Sequence, residues 1–146
     1  LTCYWQSNKL SSLENEHRYR RLIQYVSSLS FDKNCLVHGD LNPTNILVNT
    51  QSVTLVDWEF CGVGDRYFDL ATLVIELNLN IAQRQYVLNC YSDTCTDFKF
   101  NNEKLMVMQV YYVGLCWLWQ PKQLAASQLS NYQKGYATLL DDLLSS

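Results

Sequence analysis

Three residues in one short region have the types and spacing that chemistry needs. In "LVHGDLNPTNILVN", residues 36 to 49, Asp40 and Asn45 are five positions apart, and Asp57 follows twelve positions after Asn45. Two β-rich runs, "NILVN" (45–49) and "SVTLVDW" (52–58), read as a hairpin. A hairpin folds its ends together, so Asp57 should return close to Asn45. A carboxylate and an amide oxygen brought together in this way suit Mg²⁺, which takes a few hard oxygen ligands and leaves room for phosphates and water. A further acid set slightly apart, Asp40, could accept a proton from an incoming hydroxyl. These are the parts of phosphoryl transfer: a base, a metal amide and a metal carboxylate. The plainer alternative is ordinary turn chemistry, which Asp and Asn also serve. The apolar flanks of Asp57 make an unpaired buried carboxylate costly there, so Asp57 is expected to have a partner.

The elements that must position these residues are mostly helical. Residues 14–29 place Tyr19, Leu22, Ile23, Val26 and Leu29 on one face. "CLVH" (35–38) reads as a strand, and "EFCGVGDRY" as a glycine-bearing loop. Gly62 and Gly64 begin like a dinucleotide fingerprint, but Tyr67 stands where a third glycine belongs, so they read as a turn. A helix from Asp65, its N-cap, should run through "RYFDLATLVIELNL". Further helices are expected over 81–91, about 102–119, closed by Pro121, and about 123–144. The expected fold class is α+β, mostly helical, with a small embedded β-hairpin, and 1–146 reads as a single domain.

The chain has 146 residues, a formal net charge of −3 and 48% hydrophobic residues, enough for a core. The only basic cluster, "HRYRR" (17–21), lies in a helical pattern, which argues against a nucleic-acid footprint. No apolar run reaches the ~18 residues of a membrane span. The N-terminus shows no signal-peptide pattern. The six cysteines are scattered without zinc spacing and read as buried, reduced thiols of a cytoplasmic protein.

"HGDLNPTNIL" followed by "LVDWEFCGVGDRYFDLA" resembles the aminoglycoside phosphotransferase and choline kinase superfamily, which has a protein-kinase-like fold. The likeness is close over residues 36 to 75, and the helices beyond follow it only as general architecture. It implies an ATP- and Mg²⁺-dependent kinase acting on a small-molecule hydroxyl acceptor. Residue by residue, Asp40 resembles the catalytic base, and Asn45 and Asp57 the two Mg²⁺ ligands that contact the nucleotide. His38, carried with Asp40 as a candidate catalytic residue, resembles the loop histidine that supports the catalytic segment. It also reads as a satisfied core histidine. Asp69 resembles the helix aspartate that pins the loop, and also suits the first turn of a helix as an acid favoured by the dipole.

Glu59, two residues after Asp57, gives D-W-E, which resembles choline, ethanolamine and thiamine kinases more than aminoglycoside phosphotransferases. The aromatic helix "VYYVGLCWLWQP" (110–121) offers Trp117 and Trp119 as a candidate cage for a cationic acceptor. It also offers a packing stripe of Tyr111, Leu115 and Leu118 or Trp119, and packing is the stronger reading of this helix. Trp117 and Trp119 point to different faces, so at most one should line a pocket. None of the six lysines lies in a phosphate-gripping strand, and no β-rich block precedes residue 36. The chain therefore reads as the C-terminal lobe of such a kinase, inactive by itself, with an N-lobe partner or self-association to be expected. The readings kept beside a choline- or thiamine-type kinase are an aminoglycoside-type or other sugar-alcohol phosphotransferase and a truncated, non-catalytic pseudokinase binding domain.

Overall fold

The computed structural model describes residues 12–27, 30–32, 35–95, 97–119 and 126–145, the last with its first eight residues as backbone only. Cys3, Leu29, Pro121 and the lysines at 9, 33 and 122 lie outside the described residues. In chain order the elements are α1 (Leu13–Val26), β1 (Cys35–Val37), a 3₁₀ turn (Pro43–Asn45), β2 (Ile46–Val48), β3 (Val53–Leu55) and a second 3₁₀ turn (Trp58–Phe60). They continue with β4 (Gly62–Gly64), α2 (Arg66–Glu76), α3 (Ile81–Thr94), α4 (Asn102–Trp119) and α5 (Ala126–Ser145). The chain divides into two compact units, residues 1–29 with 106–146, and residues 30–105.

The first unit joins α1, most of α4, and α5. Ser12 caps α1 by accepting the Asn15 N–H at 3.2 Å, as a short polar side chain does at a helix start. Leu22 is fully buried against Gly114, where a β-carbon would stand 2.6 Å from a Leu22 methyl. Glycine at 114 is thus what lets α1 and α4 approach. Arg18, 6% exposed, is held by Asp141 at 2.7 Å and Glu14 at 2.9 Å, with its guanidinium 5.6 Å from the Trp117 ring centre. The stripe expected on α4 is shifted. Tyr111 and Leu115 are half-buried, while Met108, Tyr112, Val113 and Trp117 are buried with Leu118. A helix apolar on nearly every side carries no periodicity that tells its inner face from its outer one.

In the second unit, β2 and β3 form the expected hairpin, pairing Ile46 with Leu55 and Val48 with Val53. Asn49 closes its tip, its side-chain oxygen accepting the N–H groups of Gln51 and Ser52. The glycine stretch is not a turn. Gly62–Gly64 is strand β4, antiparallel to β1, with Cys35 opposite Gly64 and Val37 opposite Gly62. That strand is made by a partner more than twenty residues away in sequence, so local composition could not show it.

Asp65 caps α2 as expected, accepting the Tyr67 N–H at 3.0 Å. The helix stops at Glu76, short of Leu79, because Asn78 takes φ 47° and the Leu79 N–H turns back to the Val74 carbonyl. Lys104 joins Asp65 and Asp32, at 2.7 and 2.5 Å, and so ties the start of α2 to the segment before β1. Asn80 and Gln83 form a reciprocal capping box on α3. None of the five described cysteines is buried: Cys61 and Cys90 are exposed, and Cys35, Cys95 and Cys116 half-exposed. Their expected burial is therefore corrected. Cys61 follows an exposed 3₁₀ turn, and Cys90 lies on a face of α3 where neighbouring Tyr86 and Asn89 are exposed too. Among the described residues, no helix is long and apolar enough to cross a membrane.

Candidate active site

The loop between β1 and β2 is shaped by its own residue types. Gly39 sits at φ 83°, and a β-carbon there would stand 2.5 Å from the Phe60 carbonyl oxygen. Only glycine fits both the dihedral and the approach. Asn42 accepts the Thr44 N–H at 2.9 Å, and Pro43 opens the 3₁₀ turn, where its missing N–H costs nothing. That turn delivers Asn45, 7% exposed, against Asp40. The Asn45 side-chain NH₂ donates to the Asp40 carbonyl and to Asp40 Oδ2, both at 2.9 Å. With the amide nitrogen so engaged, Asn45 Oδ1 accepts no hydrogen bond among the described residues.

The hairpin returns Asp57 to this loop. The Val56 N–H donates to the Asn45 carbonyl at 3.0 Å, and Asp57 is the next residue. Asp57 has φ 63° and ψ 64°, the left-handed region, which costs a non-glycine residue about 1–2 kcal/mol. It is exposed, and its carboxylate makes no hydrogen bond among the described residues. The burial and internal partner expected from its apolar flanks are thus corrected. The left-handed turn carries Asp57 out of the strand, so its flanks do not enclose it. Such an outlier at a turn invites a functional reading.

Beneath the loop, His38 is 2% exposed and both its ring nitrogens are engaged. Nδ1 accepts the Asp40 N–H at 3.3 Å, so Nε2 carries the proton and donates to the Val56 carbonyl at 2.9 Å. The ring packs on Trp58, centroids 4.6 Å apart. Asp69, in the first turn of α2, accepts the His38 N–H at 2.7 Å and the Gly39 N–H at 3.0 Å. Glu59 is exposed in the 3₁₀ turn just beyond Asp57.

The second unit therefore brings together Asp40, Asn45, Asp57, His38, Asp69 and Glu59. Trp117 and Trp119 belong to the first unit. Trp117 is 1% exposed under Arg18, whereas Trp119 is 45% exposed. Gly39, Asn42 and Trp58 were not singled out from sequence. A glycine between a histidine and an aspartate, and an Asn-Pro pair, are the local signals for the first two.

No group of three or more His, Cys, Asp and Glu side chains is placed to hold a metal among the described residues. The donor set that fits a hard cation is mixed: the unpartnered, buried Asn45 Oδ1 and the unpartnered Asp57 carboxylate. Two such oxygens suit Mg²⁺, which keeps most of its shell for water and phosphate.

Comparison with known proteins agrees with the motif. The chain is 28% identical over 110 residues to "Protein LicA homolog" of Mycoplasma capricolum, covering 74% of this chain and 43% of that protein. It is 29% identical over 87 residues to "Protein LicA" of Haemophilus influenzae, covering 56% of this chain and 33% of that protein. A LicA homolog of Metamycoplasma hominis is 28% identical over 116 residues, covering 76% and 44%. The chain thus spans less than half the length of these relatives. Residues 5–98 match the phosphotransferase enzyme family (APH), well over half the chain and the whole of the loop, hairpin and α2. The chain belongs to that family.

Proposed function

We propose that this chain is the C-terminal, catalytic lobe of a protein-kinase-like small-molecule kinase, which transfers the γ-phosphate of ATP to the hydroxyl of a small cationic acceptor of the choline or thiamine type. The observation that carries this reading is the division of labour in Asn45. Its NH₂ orients the Asp40 carboxylate while its Oδ1 accepts no hydrogen bond among the described residues, and its backbone carbonyl takes the N–H of Val56, the residue before Asp57.

Asp40 takes the proton of the acceptor hydroxyl. One carboxylate oxygen is held by Asn45, which leaves the other for the substrate. Asn45 and Asp57 are the residues that hold Mg²⁺, which when bound neutralises phosphate charge. His38 does not exchange protons with substrate, because both ring nitrogens are committed. It fixes the Asp40 and Val56 backbone, and Asp69 fixes His38 and Gly39 in turn. Catalysis is then mostly positioning. Glu59, exposed one residue beyond Trp58, supplies negative charge for a cationic acceptor. The lobe alone binds metal and nucleotide without turnover, because the described lysines lie outside strands and Lys104 is committed to Asp32 and Asp65.

Calorimetry of Mg²⁺–ATP binding to this chain and to Asp57→Ala tests the metal site. Metal-dependent binding lost in the variant is expected. Nucleotide binding that ignores both Mg²⁺ and the Asp57→Ala change would refute the assignment. Acceptor class is tested by comparing choline, thiamine and kanamycin on wild type and Glu59→Gln. Choline or thiamine binding weakened by the substitution is expected, and kanamycin binding in their place would favour the aminoglycoside-type alternative.

A further inference from the structure

Strand β3 ends at Leu55, and the last ladder bond is from Val56 N–H to the Asn45 carbonyl. Beyond it the chain turns at Asp57, against the conformational preference of a non-glycine residue. Nothing in the Asp57 side chain stabilises the turn, since its carboxylate makes no hydrogen bond among the described residues. The fastening comes from its neighbours. The Trp58 indole N–H donates to the Leu55 carbonyl at 2.9 Å. The Val56 carbonyl is taken by His38 at 2.9 Å, and the Trp58 carbonyl by the Cys61 N–H at 3.1 Å.

We propose that Trp58 is a positioning residue: its indole holds Asp57 in the left-handed conformation and thereby aims the metal-binding carboxylate. The consequence for metal rests on the reading of Asp57 as a ligand given above. The bond from the indole to Leu55 closes a ring that encloses Val56 and Asp57. Three extended residues would carry Trp58 about 10 Å from Leu55, so the ring closes only when the backbone curls at Asp57. The same indole lies on the His38 ring, at 49° between planes. His38 is buried and bonded to the backbone of both Asp40 and Val56. Trp58 therefore references the metal turn to the loop that carries Asp40. Its indole remains 42% exposed, so burial alone does not account for an aromatic side chain there.

The test compares the whole chain with Trp58→Phe, which keeps a ring for His38 but loses the N–H, and Trp58→Leu, which loses both. The metal-free readout is the ¹³Cα and ¹³Cβ chemical shifts of Asp57, which report its backbone conformation. The metal readout is Mn²⁺ affinity, followed by loss of the free-ion electron paramagnetic resonance signal. The expected result is a shift of Asp57 toward extended values in Trp58→Leu, with Trp58→Phe between it and wild type. Mn²⁺ affinity should fall roughly five- to tenfold in Trp58→Leu and about threefold in Trp58→Phe, the scale of one or two lost contacts. Unchanged Asp57 shifts in both variants would overturn the proposal. Wild type that fails to bind Mn²⁺ would instead overturn the metal reading of Asp57, and the shifts would still decide whether Trp58 holds the turn.

Discussion

Replacing Asp69 by Asn tests the link between α2 and the loop that carries Asp40 with little change of shape. The carboxylate accepts two backbone N–H groups, His38 at 2.7 Å on Oδ2 and Gly39 at 3.0 Å on Oδ1. Hydrogen bonds to a charged acceptor contribute about 1.5–3 kcal/mol each. The amide replaces one oxygen with an NH₂ that faces an N–H donor, so one bond is lost outright and the other becomes a neutral bond of about half the strength. Asp69 is half-buried, and water offsets part of the loss. The expected cost is about 2–3 kcal/mol, and for a chain of this size that lowers Tm by roughly 6–12 °C. Far-UV circular dichroism melts of wild type, Asp69→Asn and the exposed control Asp93→Asn measure it. Mg²⁺–ATP affinity should fall in parallel, because His38 and Gly39 lose their anchor. A Tm for Asp69→Asn within about 2 °C of wild type would refute the argument, since even one lost bond predicts more.

Gly39→Ala combines a β-carbon 2.5 Å from the Phe60 carbonyl with φ 83°, and should cost at least about 2 kcal/mol; an unmoved urea midpoint would show that the loop relaxes freely. Asp141→Ala leaves Arg18 buried with Glu14 as its remaining charged partner, and should cost about 1–2 kcal/mol, discounted because Asp141 is 40% exposed. Adding Arg18→Met should recover part of that loss in denaturant melts. Stability should also fall on the alkaline side. Burial, only partly opposed by the Asn101 N–H, raises the Tyr67 hydroxyl above the usual tyrosine range. Burial alone would lower Lys104, but the carboxylates of Asp32 and Asp65 outweigh it and hold the ammonium above the usual lysine value. Both groups keep their protons more tightly when folded, so the unfolded chain binds fewer protons at high pH. Their contribution is complete below the ordinary values, near pH ~10, and is lost as pH rises through the native ones. Tm measured against pH should decline there, and Tyr67→Phe with Lys104→Met should flatten the decline; an identical decline in the double variant would sink the assignment.

Several features were legible in the chain because their causes are local. The hairpin of β2 and β3 follows from two β-rich runs around a polar tip, and the start of α2 from Asp65 ahead of an apolar face. Others depend on groups far away in sequence. Strand β4 exists only through β1, and its glycines carry no strand signal of their own. The end of α2 turns on one left-handed asparagine, and the buried face of α4 on which neighbours reach a helix that is apolar nearly all round.

The candidate site divides in the same way. The types and spacing of Asp40, Asn45 and Asp57 are covalent facts, and they sufficed to point to phosphoryl transfer. Where each oxygen and nitrogen points is a matter of three-dimensional partners. Asp69 reaches His38 and Gly39 from about thirty residues away, His38 spans from Asp40 to Val56, and Asn45 turns its NH₂ inward and leaves its oxygen free. Asp57 proved exposed because of a backbone turn that its apolar neighbours do not encode. Spacing along a chain is set by covalent bonds, whereas the direction of a hydrogen bond is set by whatever the fold places opposite it, and only the tertiary structure decides that.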